Sequence, residues 1–149
     1  MKLNNSFFYT LREDAKDEDS VSGNLLVKSG MIKKVSNGIY MNMPLGDKVS
    51  KKVIELVRDE MNKAGANEVS MPHVLPMDYF EASGRATTFG SSIFRLSDRY
   101  GRAYALGPTH EEFFVLAAQS KVKSYRDMPF TIYQIGEKYR DEVRPRLGL

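Results

Sequence analysis

At 149 residues and 42% hydrophobic, the chain is long enough for one domain with a real core. It has no cysteine, which removes disulfides, thiol catalysis and zinc sites built on thiolates, and with only His73 and His110 a histidine-rich metal site is not expected. The formal net charge of +3 permits contact with nucleic acid without requiring it.

The N-terminus, Met1 to Tyr9, lacks the continuous apolar stretch and small-residue cleavage site of a secretory signal. No apolar run approaches the roughly 18 residues that span a membrane. The expected setting is therefore soluble, reducing and cytoplasmic, without a membrane partner.

Residues 12–20 are mostly charged and read as a solvated loop or a frayed helix end. From Val21 to Val35, the positions Leu25, Leu26, Met31, Ile32 and Val35 predict one helix or two, interrupted at Gly30. Residues 38–44 alternate with period two and predict a short strand ended by Pro44. The next helix has the clearest pattern. Asp47 is its expected cap, Val49, Val53, Leu56, Val57, Met61 and Ala64 recur at spacings of three and four, and Gly65 suits a left-handed end.

Residues 67–71 then alternate as a strand that breaks at Pro72, and 82–92 read as a loop rich in glycine, serine and threonine. Residues 94–98 and 103–106 flank a turn and predict a hairpin. A helix is expected at about 110–121, and a strand from Phe130 to Val143. With no repeat, low-complexity tract or linker, the pattern predicts one mixed α+β domain with a mainly antiparallel sheet.

Two stretches hold residues suited to chemistry. In Gly107-Pro108-Thr109-His110-Glu111-Glu112, Thr109 and Glu112 have the spacing of a capping box, with acids favoured by the helix dipole. That leaves Glu111 unexplained, and a carboxylate at a strand-to-helix junction can hold a substrate cation. His110 reads as a surface residue rather than a ligand.

In the second stretch, Lys138 to Leu149, a strand would point Lys138, Arg140 and Glu142 to one face. Arg140 and Glu142 together can grip an anion and accept from an amino group, as a nucleotide requires. They can equally form a surface salt bridge contributing less than about 1 kcal/mol. Arg144 and Arg146 around Pro145 are either an exposed basic turn or a grip on triphosphate or an RNA backbone. No glycine-rich phosphate loop is present, so a nucleotide must be held by side chains on a sheet.

Taken together, Pro108-Thr109-His110-Glu111-Glu112 and, some thirty residues later, Lys138 to Arg146 resemble the prolyl-tRNA synthetases of the bacterial type. The likeness runs along essentially the whole chain. It includes Gly30 to Lys34, Gly38-Ile39-Tyr40, Pro44-Leu45-Gly46, Glu60 to Ala66 and the Tyr133-Gln134-Ile135 approach to the second motif. Pro72 matches the proline of the family's first motif.

The resemblance implies the N-terminal part of a class II catalytic domain, an antiparallel sheet flanked by helices. Motif one would cover about 47–72, the Thr-x-Glu loop 107–112, and the first half of motif two about 130–149. It implies ATP-dependent activation of proline to prolyl-adenylate, transfer to tRNA(Pro), Mg2+ bound mainly through ATP, and a homodimer joined partly through motif one. Carried over by residue, Thr109 and Glu111 receive the cationic imino group of proline. Arg140 bridges the α-phosphate and the proline carboxylate and is the catalytic residue, Glu142 lies by the adenine or its neighbouring groups, and Arg144 approaches ATP. Arg146 joins Arg144 in the motif-two loop, and no residue is assigned to a metal.

The sequence stops at Leu149, inside the motif-two loop, without the returning strand, a third motif, an editing insertion or an anticodon-binding domain. Leu147 stands where the family commonly has phenylalanine. The chain alone is therefore expected to be an incompetent synthetase. Purified chain should show no proline-dependent pyrophosphate exchange, and measurable exchange would overturn the expectation. The alternative function is a non-catalytic synthetase-like module that binds a partner or small ligand. A threonine-specific site, which uses a thiolate-containing zinc centre, fits less well with a chain that has no cysteine.

Overall fold

Ser20 starts the first helix. Its hydroxyl accepts the backbone N–H of Gly23 at 3.0 Å and caps α1 (Val21–Lys28), an arrangement that satisfies one of the orphan donors of a first turn. The computed structural model describes residues 5–15, 18 and 20–143, which divide into two compact units with the boundary between Arg58 and Asp59.

In the first unit, α1 ends at Lys28, and Gly30 takes a left-handed φ of 66°. The chain then turns into strand β1 (Ile32–Ser36), which pairs antiparallel with β2 (Ile39–Asn42). The helical spacing of Met31, Ile32 and Val35 is thus overridden. Ile32, Lys34 and Ser36 sit opposite Asn42, Tyr40 and Ile39 in a ladder, and Ile32 is 3% exposed.

Helix α2 spans Pro44–Lys63 and so begins three residues before the expected cap. Proline at the start is favourable, because its missing N–H has no intrahelical partner there. Asp47 lies within the first turn, where its N–H bonds the carbonyl of Met43 and its carboxylate pairs with Lys51 at 2.7 Å. Val49, Val53, Leu56 and Val57 form an apolar stripe that is 45–68% exposed. Gly65, at φ 77°, follows the helix as the sequence suggests.

The second unit opens with the end of α2 and β3 (Asn67–Glu68). The expected strand 67–71 shortens to these two residues, which pair parallel to β7 (Ile132–Tyr133). Pro72 is followed by β4 (Val74–Pro76), which the sequence pattern did not show. The expected hairpin is present as β5 (Arg95–Ser97) and β6 (Ala103–Leu106), and β4 joins it to give the antiparallel order β4-β6-β5.

Two short helices, α3 (Met77–Ala82) and α4 (Arg85–Thr88), occupy the stretch leading into and through the expected loop. Between them Gly84 adopts φ 75°, a conformation costly for other residues. Leu75, Met77, Phe80, Ile93, Ala105 and Phe113 form the core of this unit. Phe113 belongs to α5 (Glu111–Lys121), so the core anchors the first turn of the helix that follows the Thr-x-Glu loop.

The expected strand 130–143 is regular only at β7, because beyond Tyr133 single hydrogen bonds replace a ladder. Tyr139 N–H reaches the carbonyl of Gly107 at 3.0 Å, and Asp141 N–H that of Ser92 at 3.0 Å.

The antiparallel sheet β4-β6-β5 with flanking helices is the α+β arrangement expected from the sequence. No helix among the described residues is long and apolar enough to cross a membrane.

Candidate active site

The loop Gly107–His110 leaves β6 and enters α5. Its first residue is pinned on both sides by backbone: Gly107 N–H bonds the carbonyl of His73 at 2.9 Å, and its carbonyl accepts from Tyr139. Gly107 cannot easily be larger, since a Cβ there would come within 3.0 Å of the His110 ring and of Leu75.

His110 is 2% exposed, which corrects the surface reading of this residue. Its Nε2 lies 3.0 Å from the carbonyl of Pro72. A carbonyl only accepts, so Nε2 carries the proton. Burial pushes the ring's pKa below the ordinary histidine value, consistent with a neutral imidazole. The histidine is a tether between the loop and Pro72.

The capping box expected from Thr109 and Glu112 does not form. The cap position of α5 is His110, without a side-chain bond to the first turn. The Thr109 hydroxyl, on a residue only 7% exposed, donates instead to Oε2 of Glu111. Glu112 turns to α3 and α4, where its Oε1 accepts from the Ser83 hydroxyl at 2.7 Å and pairs with Arg85 Nε at 3.3 Å. Its Oε2 is buried with no hydrogen-bond partner among the described residues.

Arg85 links both acids, since its Nη1 lies 2.7 Å from Oε2 of Glu111. The Thr109 hydroxyl, with help from Arg85, holds the Glu111 carboxyl down at about 2. A depressed pKa means that the associated stability is fully present above the ordinary value of 4.5 and is lost as the pH falls towards 2. The Glu111 side chain is nevertheless 60% exposed, so solvent screens the pair and the carboxylate stays accessible to a further cation.

The segment after β7 brings Arg140 to the same loop. Its Nε donates to the carbonyl of Pro108 at 3.0 Å, and its guanidinium carbon lies 5.8 Å from the centre of the Phe89 ring. Glu142 Oε1 is 3.9 Å from Arg140 Nη1, the outer limit of a salt bridge between two side chains that are each more than 40% exposed. The two residues therefore share a face as expected, but their mutual attraction is weak. Lys138 stands close enough for Glu111 to act on its charge, though burial outweighs that and lowers its pKa.

Thr109, Glu111, Arg140 and Glu142 thus belong to one unit, and Arg140 is bonded directly to the Thr-x-Glu loop. Arg144 and Arg146 lie outside the described residues. Arg85 and Phe89 escaped the sequence reading because they fall in a stretch that looked like a polar loop. The usable signal was Arg85 itself, the one basic residue between Ala82 and Ser92 in a chain with the acid Glu111 unaccounted for.

Residues 94–149 match the family model described as the tRNA synthetase class II core domain (G, H, P, S and T). The chain is 48% identical over 148 residues, 99% of its length, to a proline–tRNA ligase of Nocardia farcinica. It is 47% identical over its whole length to a proline–tRNA ligase of Oleidesulfovibrio alaskensis. The chain is a homologue of the proline–tRNA ligases. It spans about a quarter of the length of these ligases, 25% and 26% respectively.

Solved structures agree on the fold. The prolyl-tRNA synthetase of Giardia lamblia in complex with prolyl-adenylate matches with a TM-score of 0.73 at 21% identity, over 81% of this chain and 26% of the other. The RNA binding domain of threonyl-tRNA synthetase from Cryptosporidium parvum matches at 0.71, also at 21% identity, over 76% of this chain and 29% of the other.

Proposed function

We propose that the protein carrying this chain is a proline–tRNA ligase, which condenses proline with ATP to prolyl-adenylate and transfers the prolyl group to tRNA(Pro). The observation that carries this reading is the bond from Arg140 Nε to the Pro108 carbonyl, which joins a phosphate-suited guanidinium to the loop bearing an anionic glutamate. Nearly half identity to ligases of that name supports it.

In this reading the imino group of proline is received by Glu111, whose carboxylate is already oriented by Thr109. Arg140 faces the proline carboxylate and the α-phosphate. The carboxylate oxygen attacks phosphorus and pyrophosphate leaves, so no protein nucleophile is needed. The contribution of the chain is positioning and charge neutralisation. Glu142 lies next to Arg140 and serves the adenine, with Arg144 approaching ATP.

No cluster of three or more potential metal ligands occurs among the described residues. In this reading Mg2+ is held mainly through the phosphates of ATP. The exposed stripe Val49, Val53, Leu56 and Val57 on α2 supports a homodimer through the first motif, since burying it against a second copy removes apolar surface from water. A cytoplasmic location follows from the same reading.

The test is Glu111→Gln. A charge-assisted hydrogen bond contributes about 1.5–3 kcal/mol, so proline binding should weaken roughly 10- to 150-fold while ATP binding changes little. Isothermal titration with each ligand separates the two. Equal losses for proline and ATP would sink the assignment of Glu111 to the imino group.

A further inference from the structure

Glu111 and Glu112 are adjacent in sequence at the start of α5, yet they meet the same guanidinium. Arg85 Nη1 reaches Glu111 at 2.7 Å and Nε reaches Glu112 at 3.3 Å, so the planar fork spans both carboxylates. The base of this bridge is fixed. Ser83 donates to Glu112 at 2.7 Å, and Gly84 in its left-handed conformation turns the chain into α4 at Arg85. Glu112 is 8% exposed on its side chain, and its Oε2 has no hydrogen-bond partner among the described residues, so its charge depends on Arg85 for compensation.

We infer that Arg85 is a positioning residue of the cation subsite: by bridging Glu111 and Glu112 it leaves the pair with one net negative charge, which a single substrate cation neutralises. This inference rests on the reading of Glu111 as the acceptor of the proline imino group. Without Arg85, two neighbouring carboxylates would repel each other, and Glu111 would take up a proton more readily. Protonated, it cannot ion-pair with the substrate. Arg85 thus stays in place when proline binds, because displacing it would leave the mostly buried Glu112 uncompensated.

The other groups facing Glu111 do not replace Arg85. The Thr109 hydroxyl donates to the same oxygen and is the largest single influence on it, but carries no charge. The His110 ring is neutral and bonded to Pro72. Lys138 and Arg140 approach from the segment after β7, with Arg140 bonded to Pro108. In the proposed reaction Arg140 answers the carboxylate and α-phosphate of the substrates.

The test compares the unchanged chain with Arg85→Gln and Arg85→Lys. Carbon-13 NMR of the Glu111 carboxyl should show its titration moving up from about 2 by about one unit in Arg85→Gln, and by less in Arg85→Lys. In the protein that carries this chain, Arg85→Gln should raise the KM for proline on the order of tenfold with the KM for ATP unchanged. The acid limb of its pH profile should move to higher pH, and Arg85→Lys should restore part of both. An unmoved Glu111 titration overturns the inference, as does an equal loss of affinity for proline and ATP. If the unchanged protein fails to bind proline, the functional reading falls, while the titration still decides whether Arg85 sets the charge on Glu111.

Discussion

Arg140→Ala should reduce proline-dependent ATP–pyrophosphate exchange roughly 100-fold or more in the protein that carries this chain. Arg140 does little for the fold. Its side chain is 45% exposed, makes one 3.0 Å bond to a carbonyl, lies 5.8 Å from the centre of the Phe89 ring and has only a 3.9 Å approach to Glu142. Losing these should cost stability on the order of 1 kcal/mol. In the proposed transition state, by contrast, the same fork faces negative charge building at the α-phosphate. Removal of one preorganised donor at such a centre typically costs 100- to 1000-fold in rate.

Lysine at position 140 keeps the charge but not the planar two-pronged geometry, so Arg140→Lys should recover only part of the loss. The measurement is steady-state exchange, with circular dichroism showing an intact fold. A loss below tenfold in Arg140→Ala, with the fold intact, would remove Arg140 from the reaction centre.

Phe80→Ala should destabilise the second unit by about 3–5 kcal/mol. Phe80 is fully buried among Leu75, Met77, Ile93, Ala105 and Phe113, and its ring centre lies 6.2 Å from that of Phe113 in a tilted pair. Truncation removes the ring's burial and leaves a cavity between the sheet and α5 that neighbours fill only in part. Because a domain's total stability is about 5–15 kcal/mol, such a loss brings the unit close to its unfolding limit. Urea unfolding followed by circular dichroism provides the measurement. Val74→Ala on β4, where the side chain is 49% exposed, is the control and should cost less than about 1 kcal/mol. Equal effects from the two substitutions would contradict the assigned core.

The sequence made some of this visible and hid the rest for identifiable reasons. Helix α2 was legible because twenty residues of regular spacing outvote local noise, although its start was misplaced where Pro44 rather than Asp47 marks the first turn. The hairpin β5–β6 was legible because two short runs flank a turn, and helix α5 spans close to its expected range. Residues 31–35 misled because three apolar positions fit a helix as well as one face of a short strand, and strand pairing decided between them. The strand from Phe130 shrank to two residues because a pattern of alternation does not reveal where partners run out.

At the candidate site, motif resemblance points to Thr109, Glu111, Arg140 and Glu142, and the structure groups them in one unit. What it could not convey was the side-chain wiring. Thr109 chose Glu111 over the helix end, and Glu112 chose Ser83 and Arg85. The second choice depends on Ser83 and Arg85, which lie in a stretch whose glycines and serines read as loop.

The short parallel pairing of β3 with β7 also bears on how the protein is made. It joins Glu68 to Tyr133, 65 positions further along, and their side chains meet at 3.3 Å. Closing so long a stretch carries an entropic cost that no local contact offsets in advance. The segment holding Lys138, Arg140 and Glu142 follows β7 directly. During synthesis the β4-β6-β5 sheet and α5 can form while Arg140 is still within the ribosome, so the loop with Glu111 exists before its arginine partner arrives.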